Sequence, residues 1–277
     1  RNGADWDIYA QHVLSSGSVD LAWPVNGRAV CTAAHDQTRP TIVSDGAGGA
    51  IVTWPDFRSN VSWDIYAQHV LASGSVDPIW PANQVPVCTA TSEQSWPDIV
   101  SDGAGGAIIT WQDWRSLNNY DIYVQRVSAT GVPQWTNDGV AICSTPYDQL
   151  YPLLVSDGAG GAIVVWSGNS GSNWDVYAQR VNASGLPQWS PCVTLCAAGY
   201  DQDSPDAVSD GSGGAVVVWV DFRSNTNWDI YAQRVTPAGM TLWATNGVAV
   251  CTDLSDQQYT TLTTDGAGGA IIRWKDF

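Results

Sequence analysis

Between residues 97 and 143, short runs of β-branched and aromatic residues alternate with polar turn signals. The pattern predicts four strands: Asp98 to Ser101, Ala107 to Asp113, Asp121 to Val127 and Gly139 to Cys143. Asp-Gly-Ala-Gly-Gly supplies the positive φ angles of a tight hairpin, Ser-Leu-Asn-Asn makes a longer loop, and Ala-Thr-Gly makes a second hairpin. No stretch is left for a helix.

The same pattern repeats along the chain. Ser-Asp-Gly-Ala-Gly-Gly-Ala starts at Ser44, Ser101 and Ser156, returns at Ser209 with Ser212 in place of the first Ala, and returns once more with Thr264 in first place. A second phrase, Trp-Asp-Ile-Tyr-Ala-Gln, keeps step with it at Trp6, Trp63, Tyr120, Trp174 and Trp228, with small variations. Two landmarks in one phase mark a repeat of roughly 55 residues. The ends join the list into a circle, because Trp274-Lys275-Asp276-Phe277 followed by Arg1-Asn2-Gly3-Ala4-Asp5-Trp6 reproduces the segment from Trp54 to Trp63.

Four antiparallel strands in each of five equal units describe the blades of a β-propeller, since radial stacking lets every blade bury its faces against equivalent neighbours. A β-sandwich does not explain strand-for-strand repetition. The expectation is therefore an all-β, five-bladed β-propeller, a single domain over residues 1–277. Its blade units run over about 40–96, 97–151, 152–204 and 205–259, and residues 260–277 are completed by 1–39. The last blade would be closed by strands from both termini, leaving no open edge. Of the 16 Trp, 14 fall at three repeat positions, as wedges between blades would.

Net charge is −16 and the 11 basic residues are scattered, so nothing would collect phosphates and nucleic acid is not an expected partner. No apolar run is long enough to cross a membrane as a helix. Calcium could serve as counter-ion to the acidic groups, although no calcium motif is present; no other cofactor is expected. The chain opens on Arg1, which reads as a processed or excised fragment.

Cys31, Cys88, Cys143, Cys196 and Cys251 share one repeat position, too far apart around a ring to bond one another, and read as buried small apolar residues. Cys192 is extra, and a local bridge to Cys196 is an even proposition. No zinc spacing occurs. His12 and His69 stand where other units have Arg126, Arg180 and Arg234, and read as surface variants. The single Glu, Glu93, replaces an Asp of the other units and reads as a drifted repeat residue, so no catalytic residue is assigned.

The polar residues common to the units gather on one face. They come from the loop between successive units (Asp36, Gln37) and from the loop between second and third strands (Asp56 with Arg58, Asp113 with Arg115, Asp221 with Arg223). With the repeat-breaking Trp96 and Trp114, these are the candidate ligand-binding residues for a glycan or a protein. Internal pairing of Asp with Arg is the structural alternative. The third unit departs, with Ser167-Gly168-Asn169-Ser170-Gly171 in place of the Asp-x-Arg loop.

The Asp-Gly-Ala-Gly-Gly-Ala and Trp-Asp-Ile-Tyr-Ala-Gln-Arg-Val units resemble propeller repeats of large secreted bacterial surface proteins. That resemblance implies a secreted or cell-surface location, within a larger protein or assembly, and no defined activity. Blade number alone is similar to the tachylectin type of lectin. The functional expectation is a non-enzymatic binding module for glycan or surface protein, then a structural or self-assembling subunit, with a five-bladed glycoside hydrolase last.

Overall fold

The computed structural model describes residues 5–277. They fall into two compact units, one made of Arg1–Leu117 with Val124–Val140 and the other of Asn118–Tyr123 with Ala141–Phe277. Among the described residues every regular element is a β-strand.

In the first unit β1 (Ile8–Ala10) pairs with β2 (Arg28–Cys31). Next come β3 (Thr41–Ser44), β4 (Ala50–Asp56), β5 (Asp64–Val70) and β6 (Val85–Cys88), an antiparallel sheet in sequential order. β7 (Gln94–Ser101) and β8 (Ala107–Asp113) follow, and with β9 (Asp121–Val127) and β10 (Val140–Cys143), whose residues are divided between the two units, they make another four-stranded sheet.

The second unit contains two four-stranded sheets and one strand pair. The first sheet is β11 (Gln149–Ser156), β12 (Ala162–Asn169), β13 (Trp174–Val181) and β14 (Val193–Cys196). The second is β15 (Gln202–Ser209), β16 (Ala215–Asp221), β17 (Asp229–Val235) and β18 (Val248–Cys251). β19 (Gln257–Thr264) pairs with β20 (Ala270–Asp276). Arg1 to Ala4, which complete the circular sequence comparison, lie outside the described residues.

The second strands β4, β8, β12 and β16 are largely apolar because both of their faces are covered. All seven residues of β8 and of β16 are buried, and Trp54, Trp111, Trp166 and Trp219 are fully so. Register is the same in each sheet: Trp54 faces Tyr66, Trp166 faces Tyr177 and Trp219 faces Tyr231. β20 carries the same sequence pattern, yet Ile271 is 66% exposed where its counterpart Ile51 is 0%.

A second set of Trp ties each sheet to the hairpin that follows. The indole N–H of Trp23 donates to the carbonyl of Ala72, that of Trp80 to Ala129 and that of Trp189 to Pro237. Gly74 sits on the Trp23 ring with φ near 77°; a Cβ there would lie 2.7 Å from the ring, so only glycine meets both demands.

The first strands β7, β11, β15 and β19 begin earlier than the pattern predicts, whereas β3 begins at Thr41. β7 starts at Gln94 rather than Asp98, because the pairing continues past Trp96-Pro97 through a bulge between Ser95 and Asp98. The bulge leaves the proline out of the hydrogen-bond ladder, which is how a strand tolerates it.

Candidate functional site

The Asp-x-Arg loops fold back on themselves. Asp56 is fully buried; its Oδ2 accepts from the Trp54 indole at 2.8 Å and from Arg58 at 2.6 Å, and its Oδ1 accepts the Arg58 backbone N–H and Nε, both at 2.9 Å. Asp113 with Arg115 and Trp111, and Asp221 with Arg223 and Trp219, repeat this clamp. The guanidinium groups also touch the thiols of Cys31, Cys88 and Cys196, and Arg58 and Arg223 lie over the rings of Tyr66 and Tyr231. Burial opposes the charge of Arg58, but its bonds to Asp56 outweigh that and hold its pKa above the ordinary value. The six charged residues proposed from these loops are thus bonded within the fold.

Asp36 accepts the backbone N–H of Trp6 at 3.0 Å, and Gln37, 1% exposed, donates its amide to the carbonyls of Ala33 and His35. Trp114 is half-buried, its backbone N–H donating to the Glu93 carbonyl.

Two sequence readings are corrected. Cys192 bonds to Cys143, not Cys196, so Cys143 is not a free apolar filler. His69 is buried, with Nδ1 2.8 Å from Asp77 and Nε2 2.9 Å from Asp45, at the repeat position where other units carry Arg. Burial raises the thiols of Cys31 to about 11 and Cys196 to about 12, so neither is a nucleophile at neutral pH. Among the described residues no three His, Cys, Asp or Glu side chains cluster as a metal site.

Chemical variety is concentrated elsewhere, at the start of the first strands. A buried Gln opens β7, β11, β15 and β19 (Gln94, Gln149, Gln202, Gln257) and another, Gln37, precedes β3; two residues after each comes a non-glycine residue with positive φ. These are Arg39 (φ 44°), Trp96 (53°), Tyr151 (55°), Ser204 (51°) and Tyr259 (56°), every one exposed. Four precede proline, a place where the backbone is ordinarily extended. A left-handed conformation held by a bulky side chain costs roughly 1–3 kcal/mol, and such strain gathers at functional sites. The frame is constant while the side chain at its centre changes from unit to unit, which packing symmetry does not require.

In the first unit the Arg39 guanidinium lies 3.8 Å over the Trp96 ring. Carboxylates accompany these elbows: half-buried Asp98 follows Trp96, and Asp203 and Asp206 flank Ser204. Asp203 accepts from the Ser167 hydroxyl at 2.7 Å, and Asp206 accepts the N–H of Ala207. Trp96 was identified from the sequence; Arg39, Tyr151, Ser204, Tyr259 and the three carboxylates were not. The usable signal was the varying residue inside the fixed Gln-x-X-Pro frame.

No family model matches the chain, and no curated protein matches it. Solved structures do. A protein of unknown function from Dyadobacter fermentans aligns with a TM-score of 0.54 at 8% identity, over 86% of this chain and 74% of its own. A Hadza microbial sialidase aligns at 0.51 and 10%, over 86% of this chain and 52% of its own. The Penicillium chrysogenum α-L-arabinanase aligns at 0.49 and 15%, over 86% and 74%. The likeness is one of fold.

These alignments nevertheless correct the functional expectation, which put a non-enzymatic, lectin-like binding module first and hydrolysis last. Of the neighbours that align above 0.5, the one of stated activity is a sialidase, an enzyme. The binding-module reading and the assignment as a non-enzyme are withdrawn.

Proposed function

We propose that this protein is a glycoside hydrolase built on a closed five-bladed propeller. The observation that carries the reading is the set of strained, exposed elbows at Arg39, Trp96, Tyr151, Ser204 and Tyr259. They offer aromatic faces and polar groups of the kind that hold sugar rings, with carboxylates on two of the strands, β7 and β15. Glycosidic hydrolysis uses two carboxyl groups, one giving a proton to the leaving oxygen and the other acting as base or nucleophile. Asp98 in the first unit and Asp203 and Asp206 in the second are the candidates; Asp56, Asp113 and Asp221 are set aside because arginine clamps hold them. The symmetry that argued against an enzyme is broken at these elbows.

Ring closure rests on the repeat. Beside β1 lies a cleft of about 620 Å³ lined by Trp6, Asp7, Ile8, Tyr9, Trp63 and the segment 37–40. The next unit's counterparts of Asp7, Ile8 and Tyr9 are Asp64, Ile65 and Tyr66, which pair with Asp56, Pro55 and Trp54 of a second strand. β20 carries the matching second-strand sequence, Trp274-Lys275-Asp276, and is the strand proposed to fill the cleft. We also infer an extracellular location, within a larger secreted protein or assembly; the Cys143–Cys192 disulfide supports an oxidising compartment.

The test is release of reducing ends from a panel of plant and bacterial polysaccharides, comparing wild type with Asp98→Asn, Asp203→Asn and Asp206→Asn. Loss of ~100-fold or more in rate, with an unchanged melting temperature, is expected for the acid and for its partner. Failure to cleave any polysaccharide, or wild-type rates in all three variants, would overturn the proposal.

A further inference from the structure

We propose that Arg39, carried on the face of Trp96, selects a sugar bearing a carboxylate; the inference rests on the glycan-hydrolysing reading and names its substrate class. Arginine is scarce in this chain and almost always engaged. Arg58, Arg115, Arg126, Arg180, Arg223 and Arg234 each pair with an aspartate at 2.6–2.9 Å. Among the described residues no carboxylate pairs with Arg28, Arg39 or Arg273; Arg28 donates to the Gly74 carbonyl, and Arg39 lies on the Trp96 ring at 3.8 Å.

Its geometry says what it can take. Both residues are exposed and both sit on left-handed elbows, which fix where their side chains leave the backbone. A guanidinium lying on an aromatic face uses its flat side for that contact, while its N–H donors radiate in the plane of the group. They remain available at the edge, in the fork that matches a carboxylate with two parallel hydrogen bonds. The ring also shields one side of the cation from water, which strengthens the pairing. A neutral pentose or hexose has no group that uses this fork. A uronic acid unit has one.

The net field of the protein repels polyanions, so affinity for an acidic sugar would come from this local arrangement rather than from diffuse attraction.

The experiment compares oligomers of galacturonic acid with the neutral galactose oligomers of the same length and linkage, as ligands in calorimetric titration and as substrates. Wild type should bind the acidic series at least about tenfold more tightly, the scale of a hydrogen-bonded charge pair. Arg39→Gln should erase that preference; Arg39→Lys should keep part of it. Because Arg39 is exposed, the melting temperature without sugar should not move, which separates lost recognition from lost folding. Equal binding of both series by wild type, or an undiminished acidic preference in Arg39→Gln, overturns the inference while leaving hydrolysis standing if neutral substrates are cleaved. Neither series bound nor cleaved, together with no activity across the polysaccharide panel, overturns both.

Discussion

Cys143 is bonded to Cys192, and it is the outer-strand cysteine whose arginine clamp is missing. Cys31, Cys88 and Cys196 each lie 25 residues before the aspartate they approach. Twenty-five residues after Cys143 stands Gly168, and the arginine position two further on is Ser170. The Trp166 indole, which would have given its hydrogen bond to that aspartate, donates to Gln149 instead at 2.6 Å. A Cβ on Gly168 would lie 2.4 Å from the Gln149 oxygen and 2.7 Å from the Tyr177 ring, so the rearranged site holds only glycine. A covalent link has taken the place of an ionic one.

The disulfide closes a separation of 49 residues, for which chain entropy predicts roughly 2–4 kcal/mol of stabilisation. Cys192→Ser should lower the melting temperature by about 5–10 °C. A reductant should do the same to wild type and nothing further to the variant. Equal melting of reduced and oxidised wild type would show that the bond contributes nothing.

Arg115→Met should destabilise the fold by about 3–5 kcal/mol, because Asp113 would remain buried and charged without its partner. Denaturant unfolding measures this directly. A variant with wild-type stability that has lost glycan cleavage would instead return Arg115 to the ligand-binding role that its sequence position suggests.

Burial pushes the Asp64 carboxyl up to about 6, against the opposing hydrogen bond from Ser62. The folded state therefore holds the proton more tightly than the unfolded chain, whose value is 3.8. That contribution to stability is complete below pH ~4 and is lost as pH rises through about 6. Asp64→Asn should match wild type at pH 4 and melt a few degrees higher above pH 6. Melting curves that stay parallel across this range would contradict the assignment.

Ile271 reports on ring closure. Its counterparts Ile51, Ile108, Ile163 and Val216 are all fully buried. If β20 is covered in solution by a third strand, Ile271→Asp should destabilise by more than about 2 kcal/mol, since it would bury an unpaired charge. A change within about 0.5 kcal/mol would mean an open edge. Thermal unfolding distinguishes the two.

Repetition made the strands legible before any coordinates. β8 and β9 have the expected limits, because Asp-Gly-Ala-Gly-Gly can only turn and Trp-Asp-Ile-Tyr-Ala-Gln can only extend at that spacing. The same repetition hid the site. Asp56, Arg58 and their equivalents drew attention because they recur, and they recur because each unit needs its own clamp. Arg39, Trp96, Tyr151, Ser204 and Tyr259 vary in residue type, so no constant side chain marks them; what they share is a backbone angle behind a buried Gln.

By itself, the sequence determined the all-β class, the limits of β8 and β9 and the turn positions, since these depend on periodicity and φ preferences carried by neighbouring residues. Tertiary structure alone decided that His69 bridges two aspartates, that Cys143 finds Cys192 rather than the nearby Cys196, and that a residue before proline turns left-handed and exposed. Each of those outcomes depends on groups dozens of residues apart, or on a bulge whose strain only packed neighbours can hold, and local preference contains neither.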